Sequence, residues 1–204
     1  MTVPPIRAFD VEGLARVSDR LAHIAPRDLD GDLASAAVLV PLCTKSGEPA
    51  ILFTKRTETV GTHKGQVSFP GGRRDPADSS DEDTALRELH EELGIPARDV
   101  TVLGRFHEVM SITRMRVRPI VGFVGERADA STMTPSPAEI DAVFALTLDE
   151  LLAHREVRPL VRSGRDGPWY TGGPHPVWGL TAFILEEFLR DVLALPVPAL
   201  DLLF

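Results

Sequence analysis

The stretch Ala85–Gly94, ALRELHEELG, decides how this chain is read. At about 100° per residue it predicts a helix that gathers Leu86, Leu89 and Leu93 on one side and Glu88, Glu91 and Glu92 on another. Gly94 and Pro96 end it, because glycine accepts the left-handed cap conformation and proline cannot continue the hydrogen-bond ladder. A solvated acidic face laced with ion pairs is the ordinary explanation of such a pattern. It fits poorly here. Glu91 has Arg87 one turn before it, but Glu88 has Thr84 and Glu92 at the corresponding places, so like charges meet. Carboxylates spaced i, i+3 and i+4 can share a hard divalent cation, and Mg²⁺ commonly combines a few carboxylates with the phosphate oxygens of a substrate. The acidic run Asp75–Asp83 lacks the ligand alternation, central glycine and closing glutamate of a calcium-binding EF-hand loop.

Upstream of this helix lies TKRTETVGTHKGQVSFPGG, Thr54–Gly72. Gly71 and Gly72 permit a backbone to approach a ligand closely. Lys55, Arg56, Lys64, Arg73 and Arg74 cluster around them in an otherwise acidic chain. Cations beside carboxylates suit a phosphate-rich substrate bridged to the protein by metal.

Hydrophobic periodicity supplies the rest of the outline. Val11, Leu14, Val17, Leu21 and Ile24 predict an N-terminal helix over about 9–24, with Pro26 beyond its end. Ala36–Leu42 and Ile51–Phe53 predict a hairpin across the turn residues of KSGEP. Gln66–Phe69 reads as a short strand stopped by Pro70-Gly71-Gly72, and RRDPADSSDED as the loop leading into the acidic helix. Val100–Val109, Val117–Val124 and Ile140–Leu146 read as strands, Leu148–His154 as a short helix, and Trp178–Leu195 as a longer one. ERADASTMTPSPAE and GRDGPWYTGGPHP read as loops. Strands interleaved with separated helices predict an α/β or α+β sandwich. A single domain over 1–204, with its core over about 34–195, accommodates all of these elements.

Composition narrows the partners. A net charge of −8 and a pI near 5.2 argue against a general nucleic-acid or anionic-membrane surface. One cysteine, Cys43, cannot form an internal disulfide, MTVPPIRAFD lacks the pattern of a secretory signal, and no apolar run approaches a membrane span. Together these predict a cytoplasmic protein, with the oligomeric state open and a homodimer among the options.

The helix resembles the Nudix box, G-x5-E-x7-R-E-U-x-E-E-x-G-U, where U is aliphatic. Arg87-Glu88-Leu89-His90-Glu91-Glu92-Leu93-Gly94-Ile95 matches the second half at every defined position, and Gly72 matches the first glycine. Asp78 stands at the first glutamate, and the gap to Arg87 is one residue longer. Leu52-Phe53-Thr54-Lys55-Arg56-Thr57, Gly65 and Phe69-Pro70-Gly71-Gly72 are similar to the signature of coenzyme A pyrophosphatases within that superfamily. Phe53 and Thr57 depart from it, and Gly61 occupies an arginine position. Ala138–Phe144 and Val177–Ala182 resemble the same subgroup.

The resemblance implies a Nudix fold, a mixed sheet between helices, and an enzyme using Mg²⁺ or Mn²⁺ to hydrolyse a pyrophosphate. Coenzyme A would give 3′,5′-ADP and 4′-phosphopantetheine. Another nucleoside diphosphate derivative, such as ADP-ribose or a dinucleotide, is the alternative, and a non-catalytic nucleotide-sensing module the non-enzyme one. Glu88, Glu91, Glu92 and the Gly72 carbonyl are the implied metal ligands, and Arg87 orients a ligand carboxylate. Glu88 or Glu139 is the general base. Lys55, Arg56, Arg74 and Gly71 are the substrate contacts expected. Trp169, Tyr170 and Trp178 offer either adenine stacking or core packing, and His63, His90 and His107 offer proton shuttling or plain structure.

Overall fold

The computed structural model describes residues 3–25, 27–31, 33–58, 65–127, 130–160 and 166–199. In chain order these form α1 (Val11–His23), β1 (Ser35–Lys45), β2 (Glu48–Arg56), β3 (Val67–Ser68), β4 (Gly71–Arg73), α2 (Asp81–Leu93), β5 (Thr101–Arg105), β6 (Val109–Met110), β7 (Arg116–Phe123), β8 (Ile140–Thr147), α3 (Leu148–Ala153), β9 (Arg155–Pro159), β10 (Asp166–Tyr170) and α4 (Gly179–Glu187).

β1 and β2 form the expected hairpin, closed by Ser46 and Gly47 with φ of 53° and 83°. Two consecutive positive φ values match the twist of the flanking strands. The strands pair only from Lys45↔Glu48 to Leu42↔Ile51. Beyond that they splay, and the segment containing Phe69-Pro70-Gly71-Gly72 fills the opening. β3 pairs with β2 at Thr54 and Lys55, whereas β4 pairs with β1 at Ala36, Ala37 and Val38. The sequence expectation of a strand ending at Pro70 is therefore corrected: Gly71–Arg73 forms a strand of its own. Glycine makes this possible. A Cβ on Gly71 would lie 2.6 Å from Val38 Cα, so only a bare backbone fits against β1 here.

The free edge of β1 runs parallel to β7, which also carries β5 and β6, while β8 lies antiparallel along the far edge of β2. The result is a mixed sheet with two differently covered faces. Ala37, Leu39, Cys43, Ala50 and Leu52 pack with Ala85, Leu89 and Leu93 of α2. Their alternates Val40, Leu42, Ile51 and Phe53 pack with residues of α1, α3 and α4. The period-two alternation of β1 and β2 thus builds two cores, one on each face.

Three other expectations change. Val100–Val109 is not one strand: the β5–β7 ladder shifts register between Val102 and Gly104, the Phe106 amide still donates to Pro119 O (2.8 Å), and the chain leaves the ladder before β6 resumes at Val109. Asp166–Tyr170, read as loop from its glycine and proline, pairs with β9 in a separate hairpin. The last helix widens into a π-helical turn over Phe188–Val192.

The wedge predicts a contrast between two glycines. Gly71→Ala meets backbone at 2.6 Å, whereas Gly47→Ala, with φ of 83°, meets nothing within 4 Å and carries only conformational strain. Denaturant unfolding should show Gly71→Ala losing at least about 2–3 kcal/mol and Gly47→Ala about 1 kcal/mol. Equal losses would contradict the role of the wedge.

Candidate active site

α2 starts where the Ser80 hydroxyl accepts the Asp83 amide (3.0 Å), and stops at Gly94 with φ of 71°. Asp81, Glu82 and Asp83 in its first turn complement the positive end of the helix dipole. Leu89 and Leu93 are fully buried against the sheet, which fixes the rotation of the helix and turns Glu88 and Glu92 toward β4 and β2.

Glu88 closes on the wedge so tightly that a Cβ on Gly72 would lie 2.5 Å from its Cδ. Burial pushes its carboxyl pKa up, opposed by the Arg87 guanidinium at 2.9 Å. Glu92 is 1% exposed. Burial raises its pKa to about 8, with Glu88 and Glu139 adding to the shift and Arg56 opposing it. Its Oε1 accepts from Arg56 Nη1 at 3.1 Å, and its Oε2 is buried with no hydrogen-bond partner. Arg56 Nη2 also stands 4.0 Å from Glu139 Oε2. The structure therefore brings Glu88, Glu92, Arg56 and Glu139 together.

Arg87 is the hub on the outer side. Its Nε and Nη2 donate to both carboxylate oxygens of Asp78 at 3.0 and 2.9 Å, while Nη1 reaches Glu88 and Glu91 at 2.9 and 3.0 Å. Nη2 also donates to Arg73 O at 3.1 Å, tying α2 to β4. Asp78 further accepts from Thr84 Oγ1 (2.9 Å) and the Asp75 amide (2.9 Å). These partners, Arg87 foremost, hold its pKa far below the ordinary carboxylate range. The residue at the variant box position thus anchors the arginine that orients Glu88. Glu91, on the same hub, is largely exposed.

Ladder geometry separates the two glycines. Leu39 N donates to Pro70 O (2.8 Å) and Arg74 N to Ser35 O (3.0 Å), which places Ala37↔Gly72 between them as a hydrogen-bonded pair. The Gly72 carbonyl consequently serves β1. The Gly71 carbonyl points away from β1, on the same edge as the Arg73 carbonyl that Arg87 holds. Gly71, expected as a substrate contact, is thereby the backbone oxygen better placed to act as a ligand.

A divalent cation fits the chemistry of this cluster. Two facing carboxylates, one with an unpartnered buried oxygen, and an outward carbonyl form a hard-oxygen donor set. Among the described residues, no three acidic, histidine or cysteine side chains converge as a preassembled cage, since Glu91 is turned to Arg87. Glu88 and Glu92 with backbone and substrate oxygens would have to suffice.

The remaining candidates have protein partners or lie elsewhere. Lys55 is ion-paired with Asp141. Arg74 donates to Asp78 O (3.1 Å) and stands 3.6 Å from Asp81. Gly61, His63 and Lys64 fall outside the described residues. His90 is exposed, whereas His107 is buried and accepts the Arg27 amide at 3.2 Å. Tyr170 is core, its hydroxyl donating to Glu186 at 2.6 Å. Trp169 and Trp178 stack on each other with centroids 5.3 Å apart. Sequence reasoning named Asp78 at the box position but not its ion pair with Arg87, because a loop-to-helix ion pair leaves no periodic signal.

Comparison with known proteins follows the same lines. The NUDIX domain model matches residues 33–163. The mitochondrial coenzyme A diphosphatase NUDT8 of Homo sapiens is 44% identical over 192 residues, covering 91% of this chain and 80% of that protein. The Nudix hydrolase NudL of Photorhabdus laumondii is 37% identical over 173 residues, covering 82% and 89%. Among solved structures, the Nudix hydrolase RenU from M. smegmatis superposes with a TM-score of 0.54 at 20% identity, covering 83% of this chain and 90% of that one.

Glu92 generates a pH prediction. With its folded pKa raised to about 8, the native state keeps a proton that the unfolded chain releases near pH 4.5, so metal-free stability falls between those values as pH rises. Thermal unfolding at several pH values should show Glu92→Gln flattening that fall. Mg²⁺ should stabilise wild type more at pH 8.5 than at pH 5.5, because binding requires the ionised carboxylate. A metal effect independent of pH would contradict this placement of Glu92.

Proposed function

The chain belongs to the Nudix hydrolase family, and on that premise we propose that it hydrolyses the pyrophosphate bond of coenzyme A or its acyl derivatives, with Mg²⁺ or Mn²⁺ as cofactor. The observation that carries the chemistry is the buried, unpartnered Glu92 Oε2 beside the Glu88 carboxylate and the wedge glycines. Relatedness to a coenzyme A diphosphatase over most of both chains supports the substrate.

Glu88, Glu92 and the Gly71 carbonyl would hold the metal, with Glu91 available at the outer edge. A bound divalent cation neutralises phosphate charge and lowers the pKa of a water molecule. Arg87, fixed by Asp78, keeps the Glu88 carboxylate aimed at the wedge. Glu139 lies beside Arg56 with its carboxylate 43% exposed, so it can accept a proton from attacking water while the phosphorus–oxygen anhydride bond breaks. Glu88 is the other candidate for this proton. Arg56 lies between Glu92 and Glu139, where its guanidinium can pair with a substrate phosphate.

Gly61, at an arginine position of the coenzyme A pyrophosphatase signature, keeps ADP-ribose and dinucleotides as a second reading. Incubation of the protein with each substrate and either metal, followed by product separation, distinguishes them. Release of 3′,5′-ADP and 4′-phosphopantetheine from coenzyme A is expected, and its absence under every metal condition would overturn the assignment. In the same assay Glu88→Gln should lose roughly 10²–10⁴-fold in turnover with the thermal midpoint retained. Near-normal turnover would remove Glu88 from the mechanism.

A further inference from the structure

The β2–β8 ladder contains an irregularity beside the candidate site. Its register is constant from Ala50↔Thr147 to Lys55↔Ala142, and then Arg56 pairs with Ile140. Asp141 is the residue left over, which makes it the extra residue of a β-bulge on β8. Bulges kink a strand and re-aim the side chains on either side of it. Lys55 and Arg56, alternating along β2, meet the bulged strand on opposite faces, Lys55 at the Asp141 carboxylate and Arg56 at Glu92 and Glu139. Two consequences of the bulge are visible. Ile140 packs in the same core as Ala145, although an uninterrupted strand would send residues five apart to opposite faces. The chain just before the bulge continues along the end of β2, with the Thr57 amide donating to Glu139 O at 2.9 Å.

From this geometry we propose that Asp141 is a positioning residue: its ion pair with Lys55 clamps the β8 bulge and so places Glu139 and Arg56 against the glutamates of α2. The inference rests on the functional reading above and deepens it by assigning Lys55 to the clamp instead of to substrate phosphate. The backbone around Glu139 is also held by Thr57, whose amide donates to Glu139 O (2.9 Å) and whose hydroxyl donates to Ala138 O (3.2 Å), and by the Ser136 turn, where the Glu139 amide donates to Ser136 O (3.1 Å) and the Ser136 amide to Glu92 O (2.8 Å). Loss of the clamp therefore loosens the bulge that sets the direction of Glu139 while these backbone hydrogen bonds keep the strand in place. Asp141 and Lys55 each hold the other in its charged form, as their opposite pKa shifts show.

The test is a double-mutant cycle of Lys55→Met and Asp141→Asn in the full-length protein, assayed on the best substrate of the panel. A clamp predicts that each single variant lowers kcat roughly tenfold with KM nearly unchanged, and that the double variant is no worse than either single one. The charge-reversed pair Lys55→Asp with Asp141→Lys should recover part of kcat, a rescue that loss of packing would not give. A Lys55→Met variant that raises KM with kcat intact, additive losses, or a silent Asp141→Asn would each overturn the clamp. Glu139→Gln, run alongside, separates the two levels of the reading. If Glu139→Gln is silent, the base assignment itself fails; if Glu139→Gln is severe while Asp141→Asn is silent, only the clamp fails.

Discussion

The constraint on which the site depends is the close approach of Glu88 to Gly72, where a Cβ would lie 2.5 Å from the Glu88 Cδ. Both sides depend on it. α2 can lie low enough over the sheet to bury Leu89 and Leu93 only because the wedge beneath Glu88 has no side chains. The wedge, in turn, fits between β1 and β2 only because Gly71 leaves room for Val38. One pair of glycines thus joins the splayed hairpin to the acidic helix and lowers two carboxylates into a weakly solvated slot. The electrostatic cost of that slot is visible in the raised pKa of Glu92 and in the unpartnered oxygen it retains.

Protein cations offset part of this cost, each from a different direction. Arg87 reaches Glu88 from the outer side and is itself held by Asp78, whereas Arg56 reaches Glu92 from β2. A divalent cation would complete the balance from the open side, where a phosphate substrate also has to enter. The arrangement explains why an acidic chain concentrates arginines near this helix: they organise its carboxylates.

Much of this was legible in the sequence, for identifiable reasons. The acidic helix and its Gly94 stop followed from a 3.6-residue period and a glycine cap, and the β1–β2 hairpin from two apolar runs around Gly47. The alternation of β1 already contained both cores. Short-range pattern could not reveal β3 and β4, because strands of two and three residues carry no period and their glycines read as turn. β10 was hidden by the proline and glycine that an isolated hairpin tolerates. Within the site, the types and spacing of Glu88, Glu91 and Glu92 pointed to metal chemistry. Their division of labour emerged only from tertiary contacts: burial singled out Glu92, Arg87 drew Glu91 outward, and ladder alternation turned the Gly72 carbonyl toward β1.

The central claim is that the wedge and α2 form one oxygen-lined metal position. A crystal structure grown with Mn²⁺ and a non-hydrolysable coenzyme A analogue tests it most directly through anomalous scattering. The account predicts a manganese peak within coordinating distance of Glu88, Glu92 and the Gly71 carbonyl, with a pyrophosphate oxygen completing the shell. A peak remote from α2, or a bound analogue with Glu92 still paired to Arg56 and not to metal, would contradict it.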